Sequence, residues 1–142
     1  MVRTKYKKII THGPYCTRGI ATIFCLIHNN IRNQKKGDAL VDTVKLGAST
    51  EYIPGRVNVG LYLADDGVRL IDSGLDDEAG RKIARMLEER KIPLRRIVTT
   101  HSNADHCGGN AFLIKRTGCS VAATRLESTV MENPVLEPLL LW

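Results

Sequence analysis

Between residues 99 and 110 the chain reads Thr-Thr-His-Ser-Asn-Ala-Asp-His-Cys-Gly-Gly-Asn. Two imidazoles and a carboxylate, His101, Asp105 and His106, thus fall within six residues. These are the donor types of a hydrolytic zinc site: imidazole nitrogen and carboxylate oxygen, with one position left for water. The apolar pair Ile97-Val98 runs into the stretch, and a second apolar run, residues 111–114, comes after Gly108-Gly109. If residues 97–99 are a buried strand, His101 leaves its end and Asp105-His106 lie on the turn into the next helix. A strand end and a helix start can together aim three side chains at one point. The plainer reading is a polar turn with two hydrogen-bonded histidines. A lone His would favour it; His, Asp and His in one turn ahead of Gly-Gly favour a metal. Cys107 adjoins His106, and its thiol is a candidate sulfur ligand or reactive group on the same pocket.

The elements that must position this turn are read from pattern. Residues 41–46 alternate and suggest an edge strand. Tyr52-Ile53-Pro54-Gly55 reads as a turn. Residues 57–64 read as a strand, Asp65-Asp66-Gly67 as a hairpin turn whose Asp-Gly supplies positive φ, and residues 68–72 as the returning strand ended by Ser73-Gly74. Asp76 or Asp77 caps a helix to about Lys91, with Ala79, Ile83, Met86, Leu87 and Arg90 on or beside one stripe. Ile92-Pro93 ends it, and Arg95-Arg96 precede the strand at 97–99. Residues 110–116 form a short helix stopped by Gly118. Residues 119–123 are a further strand, and 124–128 begin a last helix. Asn133-Pro134 and Glu137-Pro138 break the chain beyond it.

The motif resembles the first metal-binding motif of the metallo-β-lactamase superfamily, His-x-His-x-Asp-His followed by Gly-Gly. The resemblance implies that His101 is a ligand of a first metal and that Asp105 and His106 are ligands of a second. Asn103 stands where the family pattern has its second His. An amide oxygen is a weak, neutral ligand, which implies a weakened first site, a reversed order of filling or a single metal. The hairpin followed by Asp72-Ser73-Gly74 also resembles the start of this fold, where the Asp supports the metal loops by hydrogen bonding. Asp72 is therefore read either as an orienting carboxylate or as a turn carboxylate at the helix entry.

The resemblance covers residues 41–142. It implies an α/β (α+β) fold, the N-terminal half of a metallo-β-lactamase-type αββα sandwich. The family's second half supplies a further His, a bridging carboxylate and a last His. After His106 this sequence has no His, and Glu127, Glu132 and Glu137 match no family ligand position. The chain is expected to be the N-terminal part of a larger hydrolase and inactive by itself. In the complete family member one or two zinc ions, or iron or manganese, supply hydroxide that attacks an ester, thioester, lactam or similar bond of a small-molecule substrate. Asp105 is the catalytic candidate, holding the second metal and taking or relaying a proton. The alternative is a non-catalytic remnant or interaction module. It would pair its open apolar face with another copy, or with a missing C-terminal half; the terminal Leu139-Leu140-Leu141-Trp142 favours this.

Composition narrows the remaining classes. At 142 residues there is room for one domain with a core. No apolar stretch is long enough to span a membrane. The net charge of +6 suggests nucleic acid until it is divided along the chain. Residues 1–40 hold eight Lys and Arg against Asp38 alone, whereas residues 41–142 hold thirteen against fourteen acids. The basicity belongs to a leader without interleaved aromatics, so no nucleic-acid partner is expected. Residues 1–40 are a basic leader with three readings: a signal or anchor, a strand or helix packed on the domain, or a non-native extension. A cytoplasmic location is expected, with secretion through the leader as the alternative. Cys16, Cys25, Cys107 and Cys119 are irregularly spaced and read as reduced thiols. Cys25-x-x-His28 offers two donors, too few for a site.

Overall fold

The structure, a computed structural model, describes residues 9–11, 41–133 and 135, with side chains from residue 41 onward. Its centre is one mixed sheet of β1 (Ile9–Thr11), β2 (Val44–Lys45), β3 (Thr50–Ile53), β4 (Val59–Ala64), β5 (Gly67–Ile71), β6 (Leu94–Val98) and β7 (Ser120–Ala123), in the order β1-β7-β6-β5-β4-β3-β2. The helices are α1 (Asp77–Glu89), α2 (Ala104–Cys107), α3 (Asn110–Thr117) and α4 (Arg125–Glu132). Strands β2 to β5 form an antiparallel meander. Strands β5, β6, β7 and β1 are parallel. The β5–β6 and β6–β7 connections run through helices, as parallel neighbours require. The chain is the expected α/β half-sandwich: one sheet with its helices.

One face of the sheet carries the core. Leu61, Leu70, Ile97 and Val121 lie on neighbouring strands in register and are essentially solvent-free. They cluster with Ile83, Met86 and Leu87 of α1 and Leu113 of α3. Each such side chain contributes about 1.5–3 kcal/mol relative to exposure. Helix α1 begins at Asp76, whose carboxylate accepts from the Ala79 N–H at 2.9 Å. It ends in a Schellman arrangement: the Lys91 N–H bonds Glu88 O and the Ile92 N–H bonds Leu87 O, with Lys91 at φ +57°. Its buried residues include Gly80 and Ala84 besides the large apolar ones. A Cβ on Gly80 would sit 3.1 Å from Gly109 O and 3.3 Å from Phe112, so smallness there lets α1 approach α3.

Several local expectations shift. Tyr52 and Ile53 belong to strand β3 rather than to a turn, because they pair with Gly60 and Val59 and are buried; the break comes at Pro54. The strand expected from 57 begins at Val59. The edge strand expected over 41–46 is reduced to Val44–Lys45. The hairpin turn is Asp65-Asp66, closed by the pair Ala64 and Gly67. Positive φ falls on Gly67 (+134°), where a Cβ would run into Pro93 O. Strand β6 starts three residues before the expected strand, at Leu94. Residues 9–11 of the leader pair with β7 in parallel, Ile9 opposite Val121. The remaining leader readings, Cys25-x-x-His28, the Pro134 and Pro138 breaks and Leu139 to Trp142 lie outside the described residues. No helix among the described residues is long and apolar enough to cross a membrane.

Candidate metal centre

Parallel strands place their carboxyl ends side by side, and in open α/β sheets that edge is where ligands bind. Here β5 and β6 deliver Asp72 and Thr100-His101 to the same edge. The Asp72 N–H donates to Val98 O and the Thr99 N–H to Ala122 O, each extending a ladder past its strand's last residue. At Asp72 the chain turns out of β5 with φ +63°, followed by Gly74 at φ +82°. Asp is one of the few L residues that visits this region readily.

The turn 101–109 is folded down onto residues 72–75. The Ser73 N–H donates to His106 O at 2.8 Å, Gly74 bridges Cys107, and the Gly109 N–H reaches Gly74 O. Glycine is required at two positions: a Cβ on Gly108 would collide with Leu75 O, and one on Gly109 with Ser73 O. Asn110, fully buried at the start of α3, donates through Nδ2 to Thr99 Oγ1 at 3.1 Å, tying the helix to the end of β6. Its Oδ1 has no hydrogen-bond partner among the described residues.

Asp72 is the hub. Its Oδ1 accepts from the Thr100 N–H at 2.8 Å, and its Oδ2 accepts from Thr100 Oγ1 at 2.8 Å and from His106 Nδ1 at 2.8 Å. A carboxylate only accepts, so each partner must bring the proton. His106 is thereby protonated on Nδ1. The Thr100 hydroxyl spends its one proton on Asp72, so it can only accept across the 2.9 Å contact with His101 Nδ1. His101 therefore carries a proton on Nδ1 as well. In the neutral form of either ring the lone pair then lies on Nε2. Their centroids are 3.8 Å apart with planes inclined by 46°. Of the two readings of Asp72, the structure shows the orienting one.

Asp105 lies on α2 with its Oδ2 4.0 Å from His106 Nε2 and its side chain 42% exposed. Two donors on one tetrahedral ion at about 2.0–2.1 Å stand about 3.3 Å apart, so this pair is slightly open. The donor chemistry fits a borderline cation such as zinc: neutral imidazoles held in one tautomer by oxygen acceptors, with a carboxylate beside them. The donor number is lower than a closed site needs. Among the described residues no group of three or more His, Cys, Asp or Glu stands in a metal-holding arrangement. The structure therefore joins His101 to His106 and Asp105 to His106, but does not gather all three on one point. Asn103 precedes α2 and its side chain makes no capping bond. Cys107 donates through Sγ to Ser102 O at 3.1 Å, and Cys119 is buried, which pushes its thiol pKa up.

Four residues at the site were not singled out in the sequence: Thr100, Ser73, Asn110 and Glu127. Glu127 accepts from the Ser102 N–H through Oε2 at 2.6 Å. The spacing Thr124-x-x-Glu127 is that of a capping box and was the available signal. Thr124 does cap α4 by accepting from the Glu127 N–H, yet the Glu127 side chain turns to the 101–103 loop.

Comparison with known proteins bears on the family and the fold. The chain is 35% identical over 60 residues to a hydroxyacylglutathione hydrolase of Pelagibacter ubique (strain HTCC1062); the match covers 42% of this chain and 25% of that protein. Its fold is similar to that of a metallo-β-lactamase of Novosphingobium pentaromativorans, with TM-score 0.55 and 29% identity over 62% of this chain and 33% of that one. It is also similar to a Cronobacter sakazakii metallo-β-lactamase with a HARLDQ motif, with TM-score 0.53 and 29% identity over 58% of this chain and 33% of that one. The chain thus spans about a third or less of these relatives. The sequence model of the metallo-β-lactamase superfamily matches residues 52–140. With its motif at the carboxyl edge of the parallel strands and that match over more than half its length, the chain belongs to the metallo-β-lactamase superfamily.

Proposed function

We propose that the chain carries the first half of the site of a zinc-dependent hydrolase acting on a small-molecule thioester, lactam or related carbonyl bond. The observation that carries this reading is that both rings are engaged through Nδ1, His106 by Asp72 and His101 by Thr100, which in the neutral imidazoles leaves Nε2 for a cation. His101, Asp105 and His106 are the residues that would hold it. Zinc supplies Lewis acidity, lowering the pKa of water to about 7 and polarising the bond under attack. Asp72 and Thr100 engage both imidazoles through Nδ1 and so leave Nε2 for the cation, while Asp105, half-exposed beside His106, takes or relays a proton. Asn103 offers only an amide oxygen, so the pair Asp105 and His106 is the stronger half of the donor set. The relatives support the substrate class: one is named for a glutathione thioester, others for β-lactams.

A second reading is favoured by one observation, the lack of a group of three donors among the described residues. In it the polypeptide keeps the half-sandwich without catalysis and completes itself against another chain. Zinc stoichiometry and hydrolysis separate the two. The purified chain is titrated with zinc against a chromophoric chelator, then given a hydroxyacyl-glutathione thioester and a chromogenic β-lactam. The proposal expects zinc binding that weakens in His106→Ala and Asp105→Ala, with little turnover from this chain alone. Zinc affinity indifferent to both substitutions would remove it.

A further inference from the structure

We infer that Glu127 is a positioning residue which, from α4, sets the orientation of His101 by holding the backbone of Ser102. The inference rests on the reading of His101 as a cation donor, and deepens it. Residues 101–103 belong to no helix or strand. His106 is fixed by Asp72 on its ring and by Ser73 on its carbonyl. His101 is fixed on its ring through the Thr100 hydroxyl. What holds its backbone on the far side is Ser102, clamped at both backbone polar atoms: its N–H donates to Glu127 Oε2 at 2.6 Å, and its carbonyl accepts from Cys107 Sγ at 3.1 Å.

The choice of partner makes Glu127 informative. At the third position of a helix whose N-cap is Thr124, a Glu would ordinarily turn back to the N-cap N–H and complete a capping box. Here the carboxylate is committed to a residue 25 positions earlier. A short bond from a backbone N–H to a carboxylate is charge-assisted and stronger than a neutral one. It aligns the peptide between His101 and Ser102, and therefore the direction in which His101 leaves the backbone. Asn103, one residue further, is aligned by the same clamp. Glu127 thus ties the loop to α4, an element that contributes no donor of its own.

The test separates position from stability. Glu127→Ala, Glu127→Gln and Thr124→Ala are compared with the native chain by thermal unfolding, by the amide resonance of Ser102 and the ring resonances of His101 and His106, and by zinc titration. Thr124→Ala weakens α4 without touching Ser102. The expected result is that Glu127→Ala moves the Ser102 amide and the His101 ring while the His106 ring stays. Glu127→Gln, which retains an acceptor oxygen, restores most of the His101 signal, and Thr124→Ala lowers the unfolding midpoint with His101 unmoved. Zinc affinity should fall about 10-fold in Glu127→Ala, in line with other outer-shell substitutions. His101 resonances unchanged in Glu127→Ala, or shifted equally in Thr124→Ala, would overturn the inference. If the native chain binds no zinc, the proposed function fails, and the His101 resonances still decide the role of Glu127.

Discussion

Replacing Asp72 by Asn should reverse the tautomer of both histidines while leaving the fold in place. Asn is close to isosteric with Asp and tolerates the φ of +63° found there. Its amide oxygen can keep the bond from the Thr100 N–H. On the other branch an NH2 group replaces the oxygen that now accepts from Thr100 Oγ1 and His106 Nδ1, both at 2.8 Å. That group has two protons to give and none to receive. His106 Nδ1 must then accept, so its proton moves to Nε2. Thr100 Oγ1 accepts as well, which frees its hydroxyl proton for His101 Nδ1 at 2.9 Å, and His101 is driven to the same tautomer.

Each contact is re-made, so stability falls only by the loss of charge assistance. At about 1 kcal/mol for each of the three bonds, the sum is about 3 kcal/mol, within the roughly 5–15 kcal/mol that holds a domain of ordinary stability. Asp72→Ala would instead strand three part-buried donors, at up to about 1–3 kcal/mol each. It would also place Ala in the left-handed region for a further penalty of about 1–2 kcal/mol, enough to threaten folding. For Asp72→Asn the cation-facing nitrogens become N–H donors, and zinc affinity should drop by at least about 10- to 100-fold. The assay is a long-range proton–nitrogen spectrum of the imidazoles in both proteins, at a pH where the rings are neutral. The reasoning is refuted if His106 carries its proton on Nε2 in the native chain, or if the substitution leaves its pattern unchanged.

Other expectations concern the scaffold. Gly108→Ala should cost more than about 4 kcal/mol or prevent folding, because the new methyl meets Leu75 O and only a backbone shift relieves it; urea unfolding gives the value. Lys91→Gly should stabilise by about 0.5–1 kcal/mol in a thermal melt, since the C′ residue of α1 sits at φ +57° where an L side chain is strained. The hydrogen bond from Arg90 holds the buried Glu51 carboxyl below its ordinary value of 4.5, against the opposing effect of burial. Glu51 therefore contributes stability that is present above pH 4.5 and lost as pH falls through its lower folded value. Glu51→Gln should be less stable at neutral pH and show a shallower acid limb. An equal slope in the two proteins would contradict the assignment.

Much of this arrangement was legible beforehand because it rests on short-range chemistry. The helix from Asp77 to Glu89 announces itself by its cap and stripe, and the turn with His101, Asp105 and His106 by donor types that rarely crowd together without a site. Legibility ends where a partner is distant in sequence. Asp72 reads equally as an orienting group or a turn residue in the sequence, because the fold that ends β5 and β6 side by side brings it to His106 from 34 residues away. Glu127 matched no ligand position, and its purpose depends on a loop 25 residues away. Tyr52 and Ile53 next to Pro54-Gly55 carried a local turn signal that cross-strand pairing with Gly60 and Val59 overrode. Gly80 falls outside a stripe drawn from large side chains, because α1 meets α3 there at a position with no room for one.

The most direct measurement is to add zinc to the labelled chain while watching the four imidazole nitrogens of His101 and His106. The Nε2 signals of both rings should move on binding while each Nδ1 keeps its proton and its shift. Zinc that leaves Nε2 untouched, or displaces the proton from Nδ1, would contradict the claim that Asp72 and Thr100 present these rings to a metal.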